Sequence, residues 1–238
     1  MDLLTSATAA DEARRNARVA ILPVGSFEQH GEHLPLATDT VIACTIAARI
    51  AETYDLLLLP PITLSCSHEH EGLPGYPGTV SISASTLINV IDDIRTSLAR
   101  SGITKLALVN GHGGNYVLSN IAQQANVEDR RVLLFPGRDD WSAARAHAGA
   151  VTTNHDDMHG GEMETSILLH THPELVGDTY ADADHEANNR PHLLVTGMKG
   201  YTINGIIGRP SEATAAKGRA ALDSLAASFA DHLKTINS

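Results

Sequence analysis

A chain of 238 residues, 42% of them hydrophobic and 19% charged, is long enough to bury most of its apolar surface in one core, and one domain spanning 1–238 is the simplest expectation. Its formal charge of −11, with 17 Lys and Arg scattered along the chain, argues against a nucleic-acid or anionic-membrane surface and toward a small-molecule or peptide partner. Two cysteines, Cys44 and Cys66, make no disulfide framework, and an N-terminus with early acids and no apolar segment adds to the expectation of a cytoplasmic protein without a membrane span.

Strand and helix patterns alternate along the chain. Arg18 to Val24 is a short apolar run closed by Gly25, which predicts a buried parallel strand. The stretch GSFEQHGEHLPLATD follows it directly, and from Asp39 the apolar period becomes helical through Ile42, Ile46 and Ile50. Leu56 to Leu59 reads as a second strand and Pro60 to about Ser85 as a long loop of the kind that is usually functional. A helix through Leu87, Ile91, Ile94 and Leu98 is stopped by Gly102. Lys105 to Val109 is a third strand, running into NGHGGN. Then come a helix from Asn115 to about Val127, a strand from Arg131 to Phe135 and a helix from Asp139 to Gly149. HGGEMETSILLH opens another helix near Glu162, Ile203 to Ile207 is a candidate short strand, and Ser211 to Ile236 closes the chain as an amphipathic helix. The order predicts an α/β fold with a mainly parallel sheet covered by helices on both faces.

In such a sheet the loops leaving the carboxyl ends of the strands meet at one edge, where ligands bind. Four loops carrying His or acidic residues leave the predicted strands in that direction. Imidazole nitrogens and carboxylate oxygens are the donors that hold a borderline divalent ion. Glu28 and His30, two apart in an extended turn, point the same way. Asp39 can return to them if residues 31–38 loop out, His112 can lie close to backbone because glycines flank it, and His159 and Glu164 enter from the far end of the sheet. Two ions sharing Asp39 is a reasonable geometry. Each member has a plainer reading: Asp39 as a helix N-cap, NGHGGN as a phosphate-cradling loop without P-loop spacing, His33 as structural, and His68 and His70 as site lining. Together they favour a metal site. Ser26 and Ser67 lie in no nucleophile-elbow pattern.

PVGSFEQHGEHLPLATDT resembles the signature of the creatininase family of metal-dependent amidohydrolases. Glu69-His70 followed by PGTVSIS, then NGHGGN, HGGEMETS and GIIGRPSEATAAKGR resemble that family's other blocks in the same order, so the likeness runs from about Val19 to Gly218. The resemblance implies a three-layer α/β/α fold, a hexameric assembly, and a pair of divalent ions drawn from zinc, manganese or iron. By it, Glu28 binds one ion, His30 and His112 the other, and Asp39 both. His159 is a candidate proton shuttle, and Glu164 a ligand or catalytic acid. His70, Gly113, Gly114, Asn115 and Trp141 are candidate pocket residues.

Two departures bear on substrate. Creatinine hydrolases place a metal-binding Glu two residues after the glycine-loop His, where this chain has Gly114, and they carry tryptophans before the His-Gly-Gly block, where it reads TTNHDDM. The expected activity is therefore hydrolysis of a non-peptide C–N bond in an amide, cyclic amide or formamide other than creatinine, with a metal-bridging hydroxide as nucleophile. The alternatives are a creatininase-like peptidase that trims a modified precursor peptide, as in mycofactocin maturation, and a non-catalytic metal- or nucleotide-binding scaffold.

Overall fold

The computed structural model describes residues 4–238. Val19–Val24 (β1) is buried at all six positions, as an apolar strand must be when helices cover both faces of its sheet. Leu57–Leu58 (β2) pairs with one side of it and Lys105–Asn110 (β3) with the other. Val132–Phe135 (β4) pairs with β3, so the four strands run parallel in the order β2-β1-β3-β4.

Successive residues of each strand turn to opposite faces and meet different helices. Val19, Ile21, Ala107, Val109 and Phe135 pack on Thr38–Tyr54 (α2), Arg138–Ala148 (α5), Glu162–Thr171 (α6) and Ala215–Asn237 (α8). Ala20, Leu22, Val24, Leu106 and Leu108 pack on Ala84–Arg100 (α3) and Val117–Ala125 (α4). Two short helices, Ala9–Arg15 (α1) and Leu193–Thr196 (α7), lie outside these layers. The result is the three-layer α/β/α arrangement with its parallel sheet in the middle.

Three expectations change. The strand expected at Leu56 to Leu59 is two residues long at the sheet edge. Helix α2 starts at Thr38 with no side-chain cap at Ala37, so Asp39 lies inside the first turn, with its carboxylate directed elsewhere. Ile203 to Ile207 forms no strand: Asn204 and Gly205 (φ 83°) break the run, and what remains is an isolated bridge from Ile207 to His159 and another from Gly208 to His185. Among the described residues, no helix is long and apolar enough to cross a membrane.

Candidate metal centre and catalytic cleft

The site is assembled where β1 and β3 end side by side. Gly111 N–H donates to the Val24 carbonyl at 2.8 Å, which ties the glycine loop to the end of β1. A Cβ on Gly111 would lie 2.2 Å from the Asp39 carbonyl oxygen, so only glycine lets α2 come this close. That contact sets Asp39 beside His112. On the other flank, Val80 N–H donates to the Phe27 carbonyl at 2.9 Å, and Gln29 N–H to Thr79 Oγ1 at 3.0 Å. These bonds dock the long 60–83 loop, with its 3₁₀ turn His68–His70, against the Glu28–His30 segment.

Seven ionisable side chains converge here. Glu28 and His30 are fully buried, Asp39 is 1% exposed, and His70, His112 and His159 are between 3% and 4% exposed. Glu28 Oε1 lies 3.1 Å from His112 Nδ1, 3.3 Å from His70 Nε2 and 3.6 Å from His159 Nδ1. Asp39 is shared between two groups: Oδ2 is 3.2 Å from His112 Nδ1, and Oδ1 is 3.2 Å from His30 Nε2. Glu164 Oε2 is 3.8 Å from His30 Nε2. Donor atoms of Glu28, His70 and His112, of Glu28, His30 and His159, and of His30, Asp39 and Glu164 lie close enough for each trio to hold one ion. His112 thus groups with Glu28, while His30 shares one trio with Glu28 and another with Asp39 and Glu164. None of these trios joins His30 to His112, which face opposite oxygens of Asp39.

The donor set fits a cation on its own terms. Both oxygens of the fully buried Glu28 carboxylate lack a hydrogen-bond partner, although three imidazoles surround it. An ionised carboxylate without donors is costly to bury, and a divalent ion at the meeting point of these lone pairs removes that cost. The imidazoles are also oriented as ligands are. Three of them spend their other nitrogen on a backbone carbonyl: His30 Nδ1 on Glu28 at 3.0 Å, His112 Nε2 on Cys66 at 3.0 Å and His159 Nε2 on Gln29 at 2.6 Å. Such bonds fix ring and tautomer in metal-binding histidines. Ser26 Oγ–H donates to Asp39 Oδ2 at 2.6 Å and fixes the shared carboxylate.

The charges sort themselves accordingly. Burial opposes ionisation of Asp39, but His30 and His112 outweigh it and hold the carboxyl well below its usual range. Burial also works against protonated His30, yet Asp39 and Glu164 carry it up to about 9, while Glu28 and Asp39 raise His112 well above its ordinary value. Burial and the neighbouring cationic rings push His70 and His159 well down. Burial raises Glu28, and it brings Glu164 up to about 7 against the pull of His30. The acids of this centre collect positive charge.

The remaining candidates have these places. His70 belongs to the cluster itself, nearer to a ligand than to pocket lining. Gly114 lines a cleft of about 530 Å³ whose wall also includes Cys66, Glu69, Tyr116, Leu193 and Val195. Gly113 is exposed outside that lining. Asn115 is buried as a brace, its amide bonding Cys66 N–H and Asn110 Oδ1. Trp141 is not at the pocket: it lies on α5 and packs against the core beneath the sheet, because the apolar face of that helix points inward. His33 braces Gly160 and Thr165, with burial pushing it down to about 4. Ser26, Gln29 and Glu69 were not singled out as site residues by the sequence. Only the adjacency of Glu69 to His70 and of Gln29 to Glu28 could have pointed to them.

A family model described as creatininase, creatinine amidohydrolase, matches residues 3–233. A mycofactocin precursor peptide peptidase from Mycolicibacterium smegmatis is 35% identical over 230 residues, covering 91% of this chain and 84% of the relative. A creatinine amidohydrolase from Pseudomonas putida is 30% identical over 171 residues, 66% of each chain. Among solved structures, a manganese form of creatininase superposes with a TM-score of 0.79 at 26% identity, covering 97% of this chain and 96% of that one. A Zn-Zn form of a mutant creatininase gives 0.77 at 25% identity, with the same coverage.

Proposed function

The chain belongs to the creatininase family and is an amidohydrolase, and on that premise we propose that it cleaves an amide C–N bond with two divalent cations held at the end of β1 and β3. Glu28, His112, Asp39 Oδ2 and His70 would hold one, and His30, Asp39 Oδ1 and Glu164 the other. The observation that carries this reading is Asp39, whose two oxygens face two separate imidazole and carboxylate sets beside a buried Glu28 carboxylate without hydrogen bonds. When bound, such ions supply Lewis acidity to a substrate carbonyl and to water.

The chain's own groups do the rest. Ser26 and the Glu28, Gln29 and Cys66 carbonyls hold the ligands in register, so that little reorganisation is needed when substrate arrives. His159 has one nitrogen tied to Gln29 and the other facing Glu28, which makes it a positioning group in this proposal. Glu164 is the proton carrier. Gly160 N–H holds its Oε2 at 2.6 Å, its Oε1 has no partner among the described residues, and its side chain is 23% exposed.

For the substrate we place a peptide amide first. The likeness to the precursor peptide peptidase, across 91% of this chain, supports that choice. So does the open cleft, which no tryptophan covers. A small cyclic amide or formamide is the second reading, favoured by the 30% identity to the Pseudomonas putida creatinine amidohydrolase. The assembly proposed is a cytoplasmic homo-oligomer of a single creatininase-like unit, the hexamer that the family resemblance implies.

The test is metal analysis of the purified protein together with mass-spectrometric assay of short peptides, formamides and creatinine, before and after chelation. About two ions per chain are expected, with peptide turnover above creatinine turnover. Chelation should abolish activity, and zinc, manganese or iron should restore it. Turnover indifferent to chelator would remove the proposal. Metal binding with no turnover of any panel member would leave the scaffold reading.

A further inference from the structure

Glu69 sits between the metal centre and the cleft. It belongs to the 3₁₀ turn His68–His70, which sends neighbouring side chains in different directions: His70 to Glu28 at 3.3 Å, and Glu69 to the lining of the cleft. The Glu69 carboxylate is 15% exposed, and its sole ionic neighbour within 4 Å among the described residues is His112 Nε2 at 3.7 Å. That nitrogen already bonds the Cys66 carbonyl at 3.0 Å, so the Glu69 carboxylate has no hydrogen-bond donor among the described residues.

Its seat is built by two glycines. A Cβ on Gly114 would lie 1.9 Å from Glu69 Oε1 and 2.3 Å from His112 Nε2, so the carboxylate occupies the space that a side chain at 114 would take. Gly197, at φ 66°, lets its segment come so close that a Cβ there would meet the Glu69 carbonyl oxygen at 2.9 Å. With 15% of its surface exposed and no protein donor, the carboxylate is left to water or to a ligand for its hydrogen bonds, and a ligand N–H that replaces water there gains a charge-assisted one. The cleft is where that donor would come from.

We propose that Glu69 is a substrate-contacting residue of this hydrolase, its carboxylate accepting a hydrogen bond from the N–H of the amine half of the substrate at the inner end of the cleft. The proposal rests on the amidohydrolase reading and assigns Glu69 to recognition rather than to metal binding. A carboxylate in this position favours an amine over an uncharged group of the same shape, while Tyr116, Leu193 and Val195 cover the adjoining hydrocarbon.

The experiment uses the metal-loaded protein and two probes of one shape, isobutylamine and isobutanol, with binding measured by ligand-observed NMR. Wild type should prefer the amine by roughly 10-fold or more, the value of a hydrogen bond to a charged group. Glu69→Gln should bring the two affinities to within about twofold with metal content and unfolding midpoint unchanged, whereas Glu71→Gln, which removes the other carboxylate on the cleft wall, one already paired to His68, should keep the preference. Gly114→Ala should push the carboxylate from its seat and reduce the preference as well. In kinetics, Glu69→Gln should lower kcat/KM by about 10–100-fold, and Glu69→Asp should recover part of it. An amine preference that survives Glu69→Gln overturns the proposal, as does a loss of bound metal in that variant, which would make Glu69 a ligand. Wild-type amine selectivity without turnover of any amide would overturn the hydrolase reading alone.

Discussion

Asp39 shows how much one side chain can be asked to do. Its oxygens face His30 and His112 separately, and Ser26 holds the second of them at 2.6 Å. Variants should therefore divide by oxygen. His112→Ala should reduce bound metal from about two ions per chain toward one, Glu164→Gln should do so at the other position, and Asp39→Asn should deplete both, as read by mass spectrometry of the metals. Equal loss in all three would mean that the two positions are not distinct. Ser26→Ala leaves every ligand in place, and should still cost roughly 10–100-fold in metal affinity or activity, the usual scale for a group that orients a ligand. At this scale the sequence was half legible. Glu28 and His30 can be paired from their spacing alone, and Glu164 from its block, but Ser26 and His70 act across loops that no local pattern joins. The division of ligands between ions is illegible for the same reason: it depends on which oxygen each ring faces.

Helix α6 carries Glu164, and its N-terminus is fixed by a buried polar network. Asp157 accepts Glu162 N–H at 2.6 Å and Met163 N–H at 3.0 Å, and in turn receives Arg145 Nη2 at 2.8 Å. Arg145 also reaches Asn154 and Thr152, and Thr152 Oγ1–H and Lys217 Nζ each donate to Glu162 at 2.6 Å. This joins α5, α6 and α8 behind the site. Arg145→Met leaves Asp157 buried and without its counter-charge, which should cost about 3–5 kcal/mol in denaturant unfolding. A change under about 1 kcal/mol would show the network to be incidental. The helices themselves were readable because their apolar residues recur with the helical period, and β1 and β3 because they are continuous apolar runs between helices. Residues 171–209 were not: they fold into short 3₁₀ turns, the four-residue α7 and isolated bridges whose course is set by distant partners, such as His33 O receiving Gly177 N–H and Gly208 exchanging bonds with His185. Such a segment has no period to read.

For the whole molecule, cations that bind the folded chain and have little affinity for the unfolded one add to its stability by mass action. At free metal near 100 times the dissociation constant, the gain is about 2.7 kcal/mol per site. Chelation should therefore lower the thermal midpoint, and zinc or manganese should restore it. Asp39→Asn should be indifferent to both treatments, and a midpoint in wild type that ignores chelator would argue against bound ions as part of the folded state. The chemistry and the cleft wall also come from different parts of the architecture. Apart from His70, on the 3₁₀ turn of the 60–83 loop, the grouped acids and imidazoles are anchored by the ends of β1 and β3 and around the starts of α2 and α6, whereas Leu193, Val195 and Gly197 belong to a late stretch that no strand of the sheet pairs with. Gly197 packs on the turn that carries His70 and has to stay, but Leu193 and Val195 face the cleft without touching a proposed ligand, so the same catalytic machinery can be handed a new clientele by rewriting those wall positions.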